Sequence, residues 1–372
     1  MTCMPQPKKL IVVIGTRPEA IKLAPVVIAI ENSSWARCEV VLTGQHRDLV
    51  EPIMRHFNLK ITHDLHVMQP NQSLAQVTAR ILEKIDILLS EYVPDAVLGQ
   101  GDTASVLATS MACFFRNIPF AHVEAGLRTG NLRLPFPEEM NRVLTTRMTH
   151  WHFAPTEMAR ENLLREGIDP AAIWVTGNTV IDSLMMVVAQ AGPELPSRAG
   201  RDFILITAHR RENLGNALEN VCTAIAALAQ NHPELDFIFP VHPNPGVRQA
   251  VNKHLLNIPN VLLIEPCDYP VFCWLMKNSR FILSDSGGVQ EEAPALGKPV
   301  LVLRDETERP EAIAAGATRL VGTDTEAIIE AAQTLLLDAA SYQRMATAGS
   351  PYGDGHAAQR IVETLCQSLC SG

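Results

Sequence analysis

Short apolar runs alternate with longer stretches of helical periodicity along the whole chain. KLIVVIG (9–15), CEVVLTG (38–44), DAVLG (95–99), PFAHVE (119–124), WHFAP (151–155) and AIWVTG (172–177) occupy the first half. DFILIT (202–207), DFIFPV (236–241), NVLLIE (260–265), RFILS (280–284), KPVLVL (298–303) and TRLVG (318–322) occupy the second. Amphipathic stretches from Pro18, near 47–57, 72–91 and 103–116, and from about 138 read as helices between the first-half runs. Short strands that are apolar on both faces, separated by helices, indicate parallel sheets covered on both sides. There are too many for one sheet. The pattern therefore predicts an α/β chain of two Rossmann-like, doubly wound domains.

The length of 372 residues agrees, since it exceeds one ordinary core. The expected division is 1–178 and 179–355, near GNTVIDSL (177–184) and the Pro/Gly stretch AGPELPSRAG (191–200). A break at PYGDG (351–355) precedes a last helix, 356–372, expected to pack back on the first domain. Net charge is −9 and the pI near 5.7, which argues against nucleic acid or an anionic membrane as partner. The eight cysteines form no CxxC pair, as suits reduced thiols in a cytosol. The start, MTCMPQPKK, lacks a signal-peptide core, and no apolar run is long enough to span a membrane, so a cytoplasmic location is expected.

Ligands of open parallel sheets sit beyond the carboxyl ends of the strands. GTRPEAIK follows the first run: Gly15 allows a tight turn, Pro18 suits a first helical position, and Arg17 and Lys22 fall near a helix N-terminus. It reads equally as an anion site and as a capped turn with solvated charges. It is not GxGxxG, so a dinucleotide fingerprint is absent. Asp102 follows DAVLG, and Glu124 ends PFAHVE. If those strands are neighbours, both carboxylates face one crevice. Glu138 opens a helix after Pro137, with Arg142 one turn on and in reach. Taken singly, Asp102 reads as a helix N-cap and Glu138–Arg142 as a surface pair. Taken together, three acids on one ligand edge point to proton transfer.

In the second half His209, Arg210 and Arg211 follow one strand and His242 another. A histidine followed by two arginines at a strand end suits phosphate. In DSGGVQEE (285–292), Ser286 is placed to cap a helix, and Gly287 and Gly288 let phosphate oxygens approach the first-turn amides. Glu292 can accept from a ribose diol, and Arg309 follows the strand KPVLVL. No DxD motif occurs. The pattern is that of a nucleoside-diphosphate site in which arginine, histidine and the helix dipole carry the positive charge, without a metal.

Together GTRPEAIKLAP, GDT, HVEAGLRTG, PEEMNR, TGNTVID, TAHRREN, DSGGVQEEAPALGKPVLVLRDETERPE and PYGDG resemble, in order and spacing over nearly the full chain, the non-hydrolysing UDP-N-acetylglucosamine 2-epimerases. The resemblance implies a fold similar to B-type glycosyltransferases, an active site in the interdomain cleft and a homodimer. It implies interconversion of UDP-N-acetylglucosamine and UDP-N-acetylmannosamine through loss and re-addition of UDP, without a cofactor, as a precursor supply for surface polysaccharide. It implies Asp102, Glu124 and Glu138 as acid/base groups, with His209 in the catalytic set. Arg17, Lys22, Arg142, Phe272, Ser286, Gly287, Gly288, Glu292 and Arg309 are then substrate contacts. Some members are activated by a second substrate molecule held near the active site, and Gln45, His46, Gln69 and His242 lie on loops that could hold one here. Two departures adjoin Asp102: GDTAS replaces the commoner GDTTT, and Gln100 stands where many members have histidine. MQPNQS (68–73) lacks a basic residue that some regulated members carry.

Overall fold

The computed structural model describes residues 6–194, 196, 201–210 and 215–371. Two units emerge, Met1–Ser183 with Gly353–Gly372, and Leu184–Tyr352.

Unit 1 holds β1 (Lys8–Ile14), β2 (Ala36–Leu42), β3 (His63–Asp64), β4 (Ala96–Gln100), β5 (Phe120–Val123), β6 (Trp151–Ala154) and β7 (Ile173–Val175). Their order is β3-β2-β1-β4-β5-β6-β7, and every pairing is parallel. The helices between them are α1 (Arg17–Glu31), α2 (Arg47–His56), α3 (Leu74–Tyr92), α4 (Ala104–Phe115), α5 (Glu138–Met148) and α6 (Glu157–Arg165). Ile11, Val13, Val41 and Val97 pack one sheet face against buried residues of α3 and α4. The chain moves outward from β1 to β3, then returns to β4 on the other side. This reversal makes β1/β4 the switch point, where loops diverge and leave a crevice.

Unit 2 repeats the plan with β8 (Phe203–Thr207), β9 (Asp236–Pro240), β10 (Val261–Ile264), β11 (Ile282–Ser284), β12 (Val300–Val302) and β13 (Thr318–Leu320). The order is β10-β9-β8-β11-β12-β13, again parallel, with the switch at β8/β11. The division from unit 1 falls inside α7 (Thr179–Ala189), and α8 (Asn216–Asn231), α9 (Pro245–Leu255), α10 (Tyr269–Asn278), α11 (Gly287–Glu292), α12 (Pro310–Ala314), α13 (Thr325–Leu337) and α14 (Ala339–Ala346) follow.

The last helix, α15 (Ala357–Cys370), belongs to unit 1 and packs on α1. Asp182, in the first turn of α7, accepts from the amides of Ala357 and Ala358 at 3.2 and 2.8 Å, a carboxylate on a helix N-terminus. Arg360 donates to the carbonyl of Thr176 at 3.0 Å. Two elements lie outside the sequence expectation. β3 has only two residues and no apolar run, and α6 carries only two buried residues, so neither leaves a strong periodic signal. Among the described residues no helix is long and apolar enough to cross a membrane.

Candidate active site

At the ligand edge of unit 1 the β1–α1 turn meets the start of α4. A Cβ on Gly15 would stand 2.2 Å from Ser105 Oγ, so only glycine lets the two turns touch. Arg17 is the first residue of α1 and is half-buried. β4 and β5 are adjacent, with Gln100 opposite Val123, so Asp102 and Glu124 leave neighbouring strand ends.

Asp102 is not the cap of α4. Thr103 is, its hydroxyl accepting from the Val106 amide at 3.4 Å. The Asp102 carboxylate instead takes Nη2 of Arg142 at 2.8 Å. This corrects the expected Glu138–Arg142 pair: Arg142 reaches back to Asp102, with Nη1 3.5 Å from Glu139. Glu138 opens α5 and is half-buried. Its neighbour Glu139 is buried and accepts from the amides of Thr129 and Gly130, both at 3.0 Å. Adjacent carboxylates in the sequence thus take different environments, one enclosed and holding a loop, the other partly open.

Glu124 is 7% exposed and sits at φ 65, a conformation non-glycine residues seldom adopt. Three donors hold it there: Lys22 Nζ at 2.6 Å, Asn178 Nδ2 at 2.9 Å, and Gln100 Nε2. Lys22, expected on phosphate, is therefore on Glu124. Gln100, read as a departure beside Asp102, acts on Glu124. Behind these residues His122 pairs with the Gly101 carbonyl at 2.7 Å, and burial pushes its imidazole down to about 3, so it stays neutral.

In unit 2 the corresponding switch gathers His209, Arg210 and the β11–α11 turn. Asp285 is fully buried, and its Oδ2 accepts from the amides of His209 and Arg210 at 2.9 and 2.8 Å. Its Oδ1 lies 3.3 Å from His209 Nδ1. Desolvation lowers the His209 pKa, and Asp285 opposes that shift. Ser286 occupies the N-cap position of α11 but makes no side-chain cap, and its amide donates to Ser284 Oγ at 3.0 Å. A Cβ on Gly287 would lie 3.6 Å from Arg210 Nη2, which places a guanidinium over the bare start of α11. Glu292 accepts from the buried Tyr269 hydroxyl at 2.8 Å. Phe272 is on the same helix as Tyr269, one turn on. Arg309 reaches Glu291 with its Nε. Arg211 lies outside the described residues.

Across the 368 residues it shares with the UDP-N-acetylglucosamine 2-epimerase of Escherichia coli (strain K12), the chain is 48% identical, covering 96% of itself and 98% of that protein. The sequence model of the UDP-N-acetylglucosamine 2-epimerase family matches residues 28–366. The chain belongs to this family.

A crystal structure of the Neisseria meningitidis UDP-GlcNAc 2-epimerase bound to UDP-GlcNAc superposes with a TM-score of 0.88 at 47% identity, covering 96% of this chain and 100% of that one. A glycosyltransferase of Rickettsia africae gives 0.63 at 13% identity, a likeness of fold alone.

Of the positions marked for a second substrate, Gln45, His46 and Gln69 belong to unit 1 and His242 to unit 2. Gln45 accepts from Ser105 Oγ at 3.0 Å, and the exposed His46 occupies the N-cap position of α2 without a side-chain cap. Gln69 receives Arg80 Nη2 at 2.9 Å, so a guanidinium from α3 stands where MQPNQS has no basic residue of its own. His242, by contrast, stacks on His209, with ring centroids 5.8 Å apart. The sequence reading passed over Glu19, Gln100 as a partner of Glu124, Asn178, Tyr269 and Asp285. Glu19 had a signal, being three residues after Thr16 in a capping-box pattern. Asn178 and Tyr269 act across long sequence separations and had none. Among the described residues no group of three or more His, Cys, Asp or Glu side chains is arranged to hold a metal ion.

Proposed function

We propose that the chain inverts carbon 2 of UDP-N-acetylglucosamine reversibly, giving UDP-N-acetylmannosamine, by eliminating UDP and adding it back. The hydrogen at carbon 2 is not next to a carbonyl, so simple deprotonation is unfavourable. Elimination avoids that problem. A base takes the carbon-2 proton, and the electron pair forms the C1–C2 double bond. The bond from carbon 1 to the phosphate oxygen breaks, leaving UDP and a 2-acetamidoglucal. UDP then adds to carbon 1 while a proton reaches carbon 2 from the opposite face.

The observation that carries this reading is the pair of differently fixed acids on adjacent strand ends, Asp102 on Arg142 and Glu124 on Lys22, Asn178 and Gln100. Two acid/base groups, with Glu138 as a third, are what proton traffic on two faces of one ring requires. Arg142 sets Asp102, and Lys22 sets Glu124. In unit 2, Arg17's counterparts for the diphosphate are His209, Arg210, the Ser286 hydroxyl and the amides of Gly287 and Gly288. A helix start bare of side chains, with a guanidinium beside it, stabilises a departing phosphate and retains it for re-addition. Glu292, held by Tyr269, takes the ribose. Phe272 offers an aromatic face to the nucleotide, and Arg309 acts through Glu291 on the edge of the site. The enzyme works as a homodimer in the cytoplasm and supplies a precursor for surface polysaccharide.

The test is the series Asp102→Asn, Glu124→Gln and Glu138→Gln. Each is expected to lower kcat on the order of 10²–10⁴-fold while UDP still binds. Unchanged turnover in all three variants removes the acid/base assignment, whereas a parent protein that binds UDP but shows no turnover would be one that only binds nucleotide sugars.

A further inference from the structure

Glu19 has no part in the chemistry above, yet it lies between two turns that do. It is 1% exposed. Its Oε2 accepts from the amides of Gly15 and Thr16, the latter at 2.9 Å, and its Oε1 from the Thr103 hydroxyl at 2.5 Å. The first contacts are those of an acid at the third position of a helix, which needs no burial. The contact with Thr103 is different, because it crosses the switch point from the β1–α1 turn to the β4–α4 turn. The residue after Thr16 is Arg17, and the residue before Thr103 is Asp102.

The β4–α4 turn is pinned at each of its residues. His122 holds the Gly101 carbonyl at 2.7 Å, and Asn141 Nδ2 holds the Asp102 carbonyl at 2.8 Å. Glu19 holds Thr103. The first two pins come from β5 and α5, on one side. Only Glu19, among the three, ties the turn to β1–α1. A buried carboxyl is an expensive tie. Burial pushes it up to about 7 and the charge of Asp102 adds to this, against the pull of the three donors. A smaller polar residue would cap α1 without that cost and would not span the gap to Thr103.

We propose that Glu19 is a positioning residue for the epimerisation: it locks the Asp102 turn to the Arg17 turn, so that acid and cation meet one substrate in fixed register. The proposal rests on the elimination reading given above. It assigns Glu19 no contact with substrate and no proton transfer.

The test compares Glu19→Ala, Glu19→Gln and Thr103→Val with the parent enzyme. The readouts are kcat and KM for UDP-N-acetylglucosamine, UDP affinity by calorimetry, and folding by circular dichroism. In Glu19→Ala kcat is expected to fall on the order of 10²-fold, the scale of a displaced catalytic group. Its KM and UDP affinity are expected to stay within about threefold, because ground-state binding is not what is lost. Glu19→Gln recovers most of kcat, since its amide oxygen serves the two N–H groups and its NH2 reaches the Thr103 oxygen. Thr103→Val lowers kcat by the same route, and the double variant Glu19→Ala/Thr103→Val loses no more than Glu19→Ala alone. A folded Glu19→Ala enzyme with unchanged kcat overturns the proposal. So does Glu19→Gln as impaired as Glu19→Ala, which would mean that the charge itself takes part. If Glu19→Ala fails to fold, Glu19→Gln and Thr103→Val decide on the same kcat criterion. Deuterium uptake at carbon 2 by the parent enzyme separates the two levels. Its absence removes the elimination reading, whereas its presence with unaffected variants removes only the role of Glu19.

Discussion

Nη2 of Arg142 stands 2.8 Å from the Asp102 carboxylate, joining the end of β4 to the second turn of α5. The guanidinium also lies 3.5 Å from Glu139, which in turn holds the amides of Thr129 and Gly130. Arg142 therefore turns one arm of its guanidinium to Asp102 and the other towards Glu139, a fork that the single ammonium of a lysine does not reproduce. Arg142→Lys keeps the charge and is expected to lose about tenfold or more in kcat, the worth of one charge-assisted hydrogen bond. Steady-state kinetics of the folded variant checks this, and unchanged kcat would mean that charge alone suffices.

Glu124 depends on two neutral donors besides Lys22. Gln100→Ala and Asn178→Ala each remove one and are each expected to lower kcat by about tenfold, leaving UDP affinity unaltered. Together they should cost more than the product of the single losses, because the φ of 65 at Glu124 is then less well supported. A kinetic double-mutant cycle measures the coupling, and strict additivity would show that the two amides act independently.

The Tyr269 hydroxyl aims Glu292 from inside unit 2. Tyr269→Phe removes that one donor and is expected to weaken UDP binding by about five- to tenfold. Titration calorimetry with UDP provides the number. Full UDP affinity in the variant would remove Tyr269 from nucleotide recognition.

The carboxyl of Glu19 sits at about 7 against an ordinary 4.5. Between these values the folded protein binds its proton more tightly than the unfolded chain does. The stability it contributes is complete below about pH 4.5 and is lost as pH rises towards 7. Asp102 is the charged neighbour in this titration. Glu19→Gln has no such titration, so it should gain on the parent from pH 4.5 to 7, by a margin on the order of 3 kcal/mol. His122 works in the opposite sense, its pKa depressed from 6.5 to about 3, so stability is lost as pH falls through that window. His122 is common to both proteins and cancels in their difference. Urea unfolding across this range gives that difference, and a constant one contradicts the assignment.

Every strand except β3 was legible in the sequence, because each falls in a short apolar run followed by a helix, a pattern with few other solutions. The positions of Asp102, Glu124, Ser286 and Gly287 followed from the same rule, since ligand residues cluster after strand ends. Side-chain pairing was less legible. Glu138 and Arg142 share a helix face in sequence, but the guanidinium goes to Asp102, forty residues away in the chain, because burial favours the partner that closes the network. Lys22 looked like a phosphate ligand by its place near a helix N-terminus. The approach of β5 puts Glu124 2.6 Å from its ammonium, which no local spacing reveals.

The most direct measurement follows carbon 2 itself. The enzyme is incubated with UDP-N-acetylglucosamine in deuterium oxide, without added metal or nicotinamide, and proton and phosphorus NMR are recorded over time. Elimination and re-addition predict UDP-N-acetylmannosamine carrying deuterium at carbon 2, with no lasting free UDP. Retention of the original proton at carbon 2 in the epimerised product, or release of free N-acetylmannosamine with one UDP for each turnover, would contradict it.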